Sequence, residues 1–71
     1  MWLARDKDNT LHLYIMDIVG KPYKKNDFMW TSKAFYKATL PSHLFPEVQW
    51  SDEEPTKVKL VIVKWYDYYQ D

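Results

Sequence analysis

A chain with no cysteine and only two histidines has neither a disulfide framework nor a structural metal site, so its fold must be held by packing alone. Its 71 residues make one small domain, and a chain this short hides only about 60% of its unfolded surface. Apolar burial must nearly match the whole conformational entropy cost, and the available means is rings. Aromatic residues make up 18% of the sequence, and each buried ring removes roughly 150 to 250 Å² from water.

Punctuation is sparse. The single glycine is Gly20 and the prolines stand at 22, 41, 46 and 55, so the chain divides into a few segments without a flexible linker or a repeat. Trp2 to Arg5 and Thr10 to Met16 flank Asp6-Lys7-Asp8-Asn9, a polar cluster whose Asp and Asn residues accept the geometries of tight turns. This predicts a β-hairpin. In its second arm Leu11, Leu13 and Ile15 share one parity and Thr10, His12 and Tyr14 the other, so the odd positions are expected to point inward.

Residues 17 to 27 contain Gly20, Pro22 and three lysines, the composition of a solvated connection. Phe28-Met29-Trp30 reads as a short strand. The stretch from Ser32 to Leu40 carries mixed signals. Ala34 and Ala38 favour a helix, whereas Phe35, Tyr36 and Thr39 favour a strand, and strand is preferred because a two-turn helix would have little to bury. Between Pro41 and Pro46 there is room for one helical turn. An exposed acidic loop from Ser51 to Pro55 precedes a last strand, Thr56 to Trp65, with Val58, Leu60 and Ile62 on its core face. Its other face turns from Lys57 and Lys59 to Val61, Val63 and Trp65, which marks a central place in the sheet, a second covering layer or an interface. The tail beyond it carries Tyr66, Tyr68 and Tyr69.

Ten basic and ten acidic side chains cancel, which argues against a phosphate-driven nucleic-acid binder and against a polybasic membrane anchor. The first residues lack the apolar core of a signal peptide, and the longest apolar run, Leu60 to Val63, is far short of a membrane span. The expected compartment is the cytoplasm.

Charge is nevertheless segregated. Residues 21 to 37 hold five lysines against Asp27, a net +4, whereas Glu47, Asp52, Glu53 and Glu54 give residues 47 to 54 a net −4. The lysine segment interleaves Lys21, Lys24, Lys25, Lys33 and Lys37 with Tyr23, Trp30 and Tyr36, the composition of a single-strand stacking platform, and equally of a solvated lysine face over core rings. Arg5 is the only arginine, which weighs against phosphate recognition. Asp6-x-Asp8-x-Thr10 echoes a calcium loop, but the position that should be glycine is Leu11, and residues 11 to 15 alternate as a strand. His12 and His43 come with no nucleophile elbow, carboxylate pair or phosphate-cradling glycine loop, so no catalytic residue, metal or cofactor is expected.

The opening Trp2-Leu3-Ala4-Arg5-Asp6-Lys7-Asp8-Asn9-Thr10-Leu11-His12-Leu13-Tyr14, the Lys21-Pro22 pair and Leu44-Phe45-Pro46-Glu47-Val48-Gln49-Trp50 with its Asp-Glu-Glu-Pro continuation resemble small proteins of gut anaerobic bacteria and of their phages and mobile elements. The resemblance spans most of residues 2 to 62 and implies no activity, because none is assigned to that group. Its members often carry glycine at the position of Asn9 and end soon after the last strand.

The sequence therefore predicts an all-β or β-rich domain of four or five strands, either a small antiparallel sheet or a barrel in the manner of SH3 or OB modules, with one helical turn near 41 to 45. The expected function is non-enzymatic: an interaction module that binds a protein partner or itself through Val61, Val63, Trp65, Tyr66, Tyr68 and Tyr69. Single-stranded nucleic-acid binding through the lysine segment is the alternative.

Overall fold

A computed structural model describes residues 1 to 34 and 36 to 59. The protein is strand-rich, with no helix among the described residues. Its strands are β1 (Trp2–Arg5), β2 (Leu11–Tyr14), β3 (Tyr23–Lys24), β4 (Trp30–Thr31), β5 (Lys37–Leu40) and β6 (Thr56–Lys57). Four form an antiparallel sheet in the order β5-β2-β1-β6, and β3 and β4 form a separate two-stranded sheet.

The β1–β2 hairpin forms where the alternating arms predict it, with Leu3 opposite Leu13 and Arg5 opposite Leu11. Its turn is closed by the Asp6 N–H donating to Thr10 O at 2.8 Å and the Asn9 N–H donating to Asp6 O at 3.0 Å. Asn9 takes φ 78°, a left-handed conformation that asparagine tolerates better than most residues. Hydrogen bonds from Thr10, side chain before backbone, hold the Asp8 carboxyl below its ordinary range.

Register divides the four-stranded sheet into two faces, and each has its own core. Leu3, Leu11 and Val48 are buried on one, packed against Leu13, Leu40 and Val58. Ala4, Tyr14 and Trp30 are buried on the other, packed against Trp2 and Trp50. The expectation of a single inward face therefore needs correcting. Leu11 is buried as predicted and Leu13 half-buried, but His12 and Tyr14 are buried as well, and Ile15, one residue past the end of β2, is exposed. The second face is covered because Trp30 reaches it from β4 while Trp50 meets the Trp30 ring edge-on, centroids 6.4 Å apart.

The ambiguous 32 to 40 stretch is strand over Lys37–Leu40, pairing with β2 from Leu11↔Leu40 to Tyr14↔Lys37. The described residues form six strands and close no barrel. The helical turn expected near 41 to 45 is a single turn with the bond of a 3₁₀ helix, from the Leu44 N–H to Pro41 O, and it ends at Phe45 with φ 50°. A left-handed residue cannot extend a right-handed helix. Of the last predicted strand, Thr56–Lys57 pairs with β1 and the Val58 N–H continues the ladder to Met1 O. Leu60, Ile62 and the remainder through Trp65 lie outside the described residues.

Candidate interaction surface

Three buried polar side chains are the first places to look for chemistry, and each is engaged by the scaffold. Arg5 lies on the Leu3–Leu11 face and donates from Nε to Val48 O at 2.7 Å, from Nη1 to Ser42 O at 2.8 Å and from Nη2 to Leu44 O at 2.8 Å. Longer bonds reach Asn9 O and Oδ1 and Phe45 O. A guanidinium has five N–H groups, and these carbonyls use them all. Arg5 thereby clamps residues 42 to 48 onto the hairpin and holds Phe45 in its left-handed conformation.

Asp6 accepts the Trp30 N–H on Oδ1 at 2.8 Å and meets His12 Nε2 with Oδ2 at 3.3 Å. His12 Nδ1 lies 3.2 Å from Thr39 Oγ1. The chain of hydroxyl, imidazole and carboxylate has the partners of a nucleophilic triad, but His12 is buried between Ala4 and Thr39 across three paired strands. It cross-links the strands and ties the smaller sheet to the larger. No group of three or more His, Cys, Asp or Glu side chains able to hold a metal ion occurs among the described residues.

The lysine segment is dispersed. Trp30 is only 3% exposed, so it offers no face to a base. Lys24 lies 4.4 Å from the Trp50 ring centroid and 5.4 Å from that of Trp30. Lys21 lies 5.4 Å from the Trp2 centroid and 3.3 Å from Glu54, so the basic and acidic segments meet inside one molecule. Lys25, Lys33, Lys37, Tyr23 and Tyr36 are exposed. The ammonium groups over Trp2, Trp30 and Trp50 are cation–π lids on the aromatic core, the second of the two readings that the composition allows. Val61, Val63, Trp65, Tyr66, Tyr68 and Tyr69 fall outside the described residues.

The surface that the structure does present is one that the sequence reading passed over. Ile15, Met16, Ile18 and Val19 are all exposed, Ile18 to 93%. The Ile15 N–H donates to Tyr36 O, which holds this stretch against the approach to β5. Asp17 is engaged by the Met1 ammonium and, through its carbonyl, by the Trp2 indole N–H, so the aliphatic residues on either side of it project from an anchored segment. Gly20 is required where the segment turns back, since a Cβ there would stand 2.2 Å from Met16 O. Beyond it Ile18, Val19, Lys21, Tyr23 and Lys33 line a concavity of about 340 Å³. Of these four, Ile18 and Val19 lie in the 17 to 27 stretch read as solvated, whereas Ile15 was assigned to the core face of the hairpin and Met16 to the end of its second arm.

Set beside known proteins, the chain matches no family model, no curated protein and no solved structure.

Proposed function

We propose that this chain is a non-enzymatic interaction module, carried by a phage or mobile element, that binds a protein partner. The observation that carries the reading is the anchored, exposed aliphatic run from Ile15 to Val19 beside the Tyr23 concavity. Among the described residues ten large hydrophobic side chains are exposed, and Ile15, Met16, Ile18 and Val19 are four of them gathered within five positions, the kind of apolar cluster that marks an interaction site. The engagement of Arg5, Asp6 and His12 in scaffold bonds supports the non-catalytic part of the reading.

Affinity capture from cells that carry the gene tests it, with wild type and an Ile18→Asp, Val19→Asp double variant as baits. A protein retained by wild type and lost by the variant is the expected result. Equal capture by both baits, or by neither, overturns the proposal. Circular dichroism checks that the variant keeps its fold, as substitutions at exposed sites should.

A further inference from the structure

We infer that the concavity beside Val19 takes an acidic segment of the partner, an apolar side chain flanked by carboxylates; this rests on the protein-binding reading above. Its lining is divided by chemistry. Ile18, Val19 and Tyr23 supply the apolar wall, Lys21 and Lys33 supply two ammonium groups, and among the described residues no carboxylate lines it. Lys33 makes no ion pair or ring contact among the described residues. Lys21 already shows what it accepts, for its ammonium holds the Glu54 carboxylate at 3.3 Å with both side chains more than half exposed. So exposed a pair contributes little to stability and exchanges readily for a partner's carboxylate. Nucleic acid fits less well, because two of the three apolar side chains are aliphatic and cannot stack on a base.

The test is selection of a random-peptide display library on the full chain, followed by anisotropy titrations of an enriched peptide. The expected consensus places Asp or Glu on both sides of a large apolar residue. Its affinity should fall about tenfold or more with Lys21→Glu plus Lys33→Glu, and again with Ile18→Asp, and should weaken as salt rises. A consensus without carboxylates, or one that is indifferent to the lysine changes, overturns the acidic partner and leaves the protein-binding surface standing. Peptides that bind the Ile18→Asp variant as well as wild type, or an empty selection, overturn both. Preferential binding of wild type to phosphatidylcholine–phosphatidylserine vesicles or to an oligothymidylate overturns the peptide assignment in favour of those surfaces.

Discussion

The Nε of Arg5 donates to the backbone carbonyl of Val48 at 2.7 Å across 43 positions of sequence. This bond joins the hairpin to the segment that covers one of its faces, and Val48 is itself part of the core beneath. The segment has little other support there, since its own hydrogen bonds are the local turns from Leu44 to Pro41 and from Val48 to Phe45.

Arg5→Lys keeps the charge and discards the fork. An ammonium has three donors where the guanidinium has five, so at least two of the carbonyls at Asn9, Ser42, Leu44, Phe45 and Val48 lose their partner. The expected loss in a urea titration is about 2 to 4 kcal/mol, a large share of a small domain's stability. A loss under about 0.5 kcal/mol, the range of an ordinary surface substitution, would show that the clamp does not hold the segment.

Tyr14 gives the alkaline limit of stability. Burial first, and the nearby Asp6 charge second, push its phenol up to about 12 from 10.0. The unfolded chain therefore gives up this proton before the folded one does, so the stabilisation is complete below pH 10 and declines as pH rises towards 12, by on the order of 2 kcal/mol. Its hydroxyl is buried without a hydrogen-bond partner among the described residues. Tyr14→Phe is accordingly expected to leave stability at pH 7 unchanged or higher and to flatten the decline between pH 10 and 12. Parallel denaturant titrations of the two proteins across that range measure the difference directly, and identical slopes would remove Tyr14 from the account.

At the hairpin turn, Asn9 holds φ 78° and its Oδ1 accepts from Arg5 Nη1 at 3.2 Å. Asn9→Ala loses both the tolerance and the acceptor and should cost about 1 to 2 kcal/mol. Asn9→Gly gains backbone freedom for the same φ while losing the acceptor, so its net effect should be within about 1 kcal/mol of wild type. Thermal unfolding of the two variants ranks them, and an alanine variant as stable as the glycine one would rule out backbone strain as the reason for the residue.

What the sequence showed and what it hid follow from range. The hairpin was legible because Leu11 and Leu13 alternate beside a turn that is closed by local bonds, from the Asp6 N–H to Thr10 O, the Asn9 N–H to Asp6 O and the Thr10 N–H to Asp8 Oδ1. The strand at Lys37–Leu40 was legible because a helix there had nothing to bury. Coverage of the opposite face was not, because it depends on Trp30 arriving from 16 positions past Tyr14 and on Asp6 accepting its N–H. The role of Arg5 was hidden likewise, since its partners are carbonyls with no signature in sequence. The exposed Ile18 and Val19 were obscured by their neighbours, as Gly20, Pro22 and the lysines gave the segment the composition of a plain loop.

Single-stranded nucleic acid remains the sharpest alternative, and the placement of Lys24 makes a specific expectation of it. The Lys24 ammonium sits over the Trp50 and Trp30 rings, and Trp30 is buried, so that ring is not offered to a base as a stacking platform requires. Labelled oligothymidylate should therefore bind only weakly at about 50 mM salt and negligibly at about 200 mM, since each phosphate contact is lost as counterions return. Lys24→Glu should instead be felt in stability, by about 1 kcal/mol, because it replaces an attraction to two ring faces with a repulsion. Lys25→Glu, whose side chain is exposed and over no ring, should cost less. Tight oligonucleotide binding that falls steeply with salt and vanishes in the Lys24→Glu, Lys25→Glu double variant would instead place the function on the lysine segment.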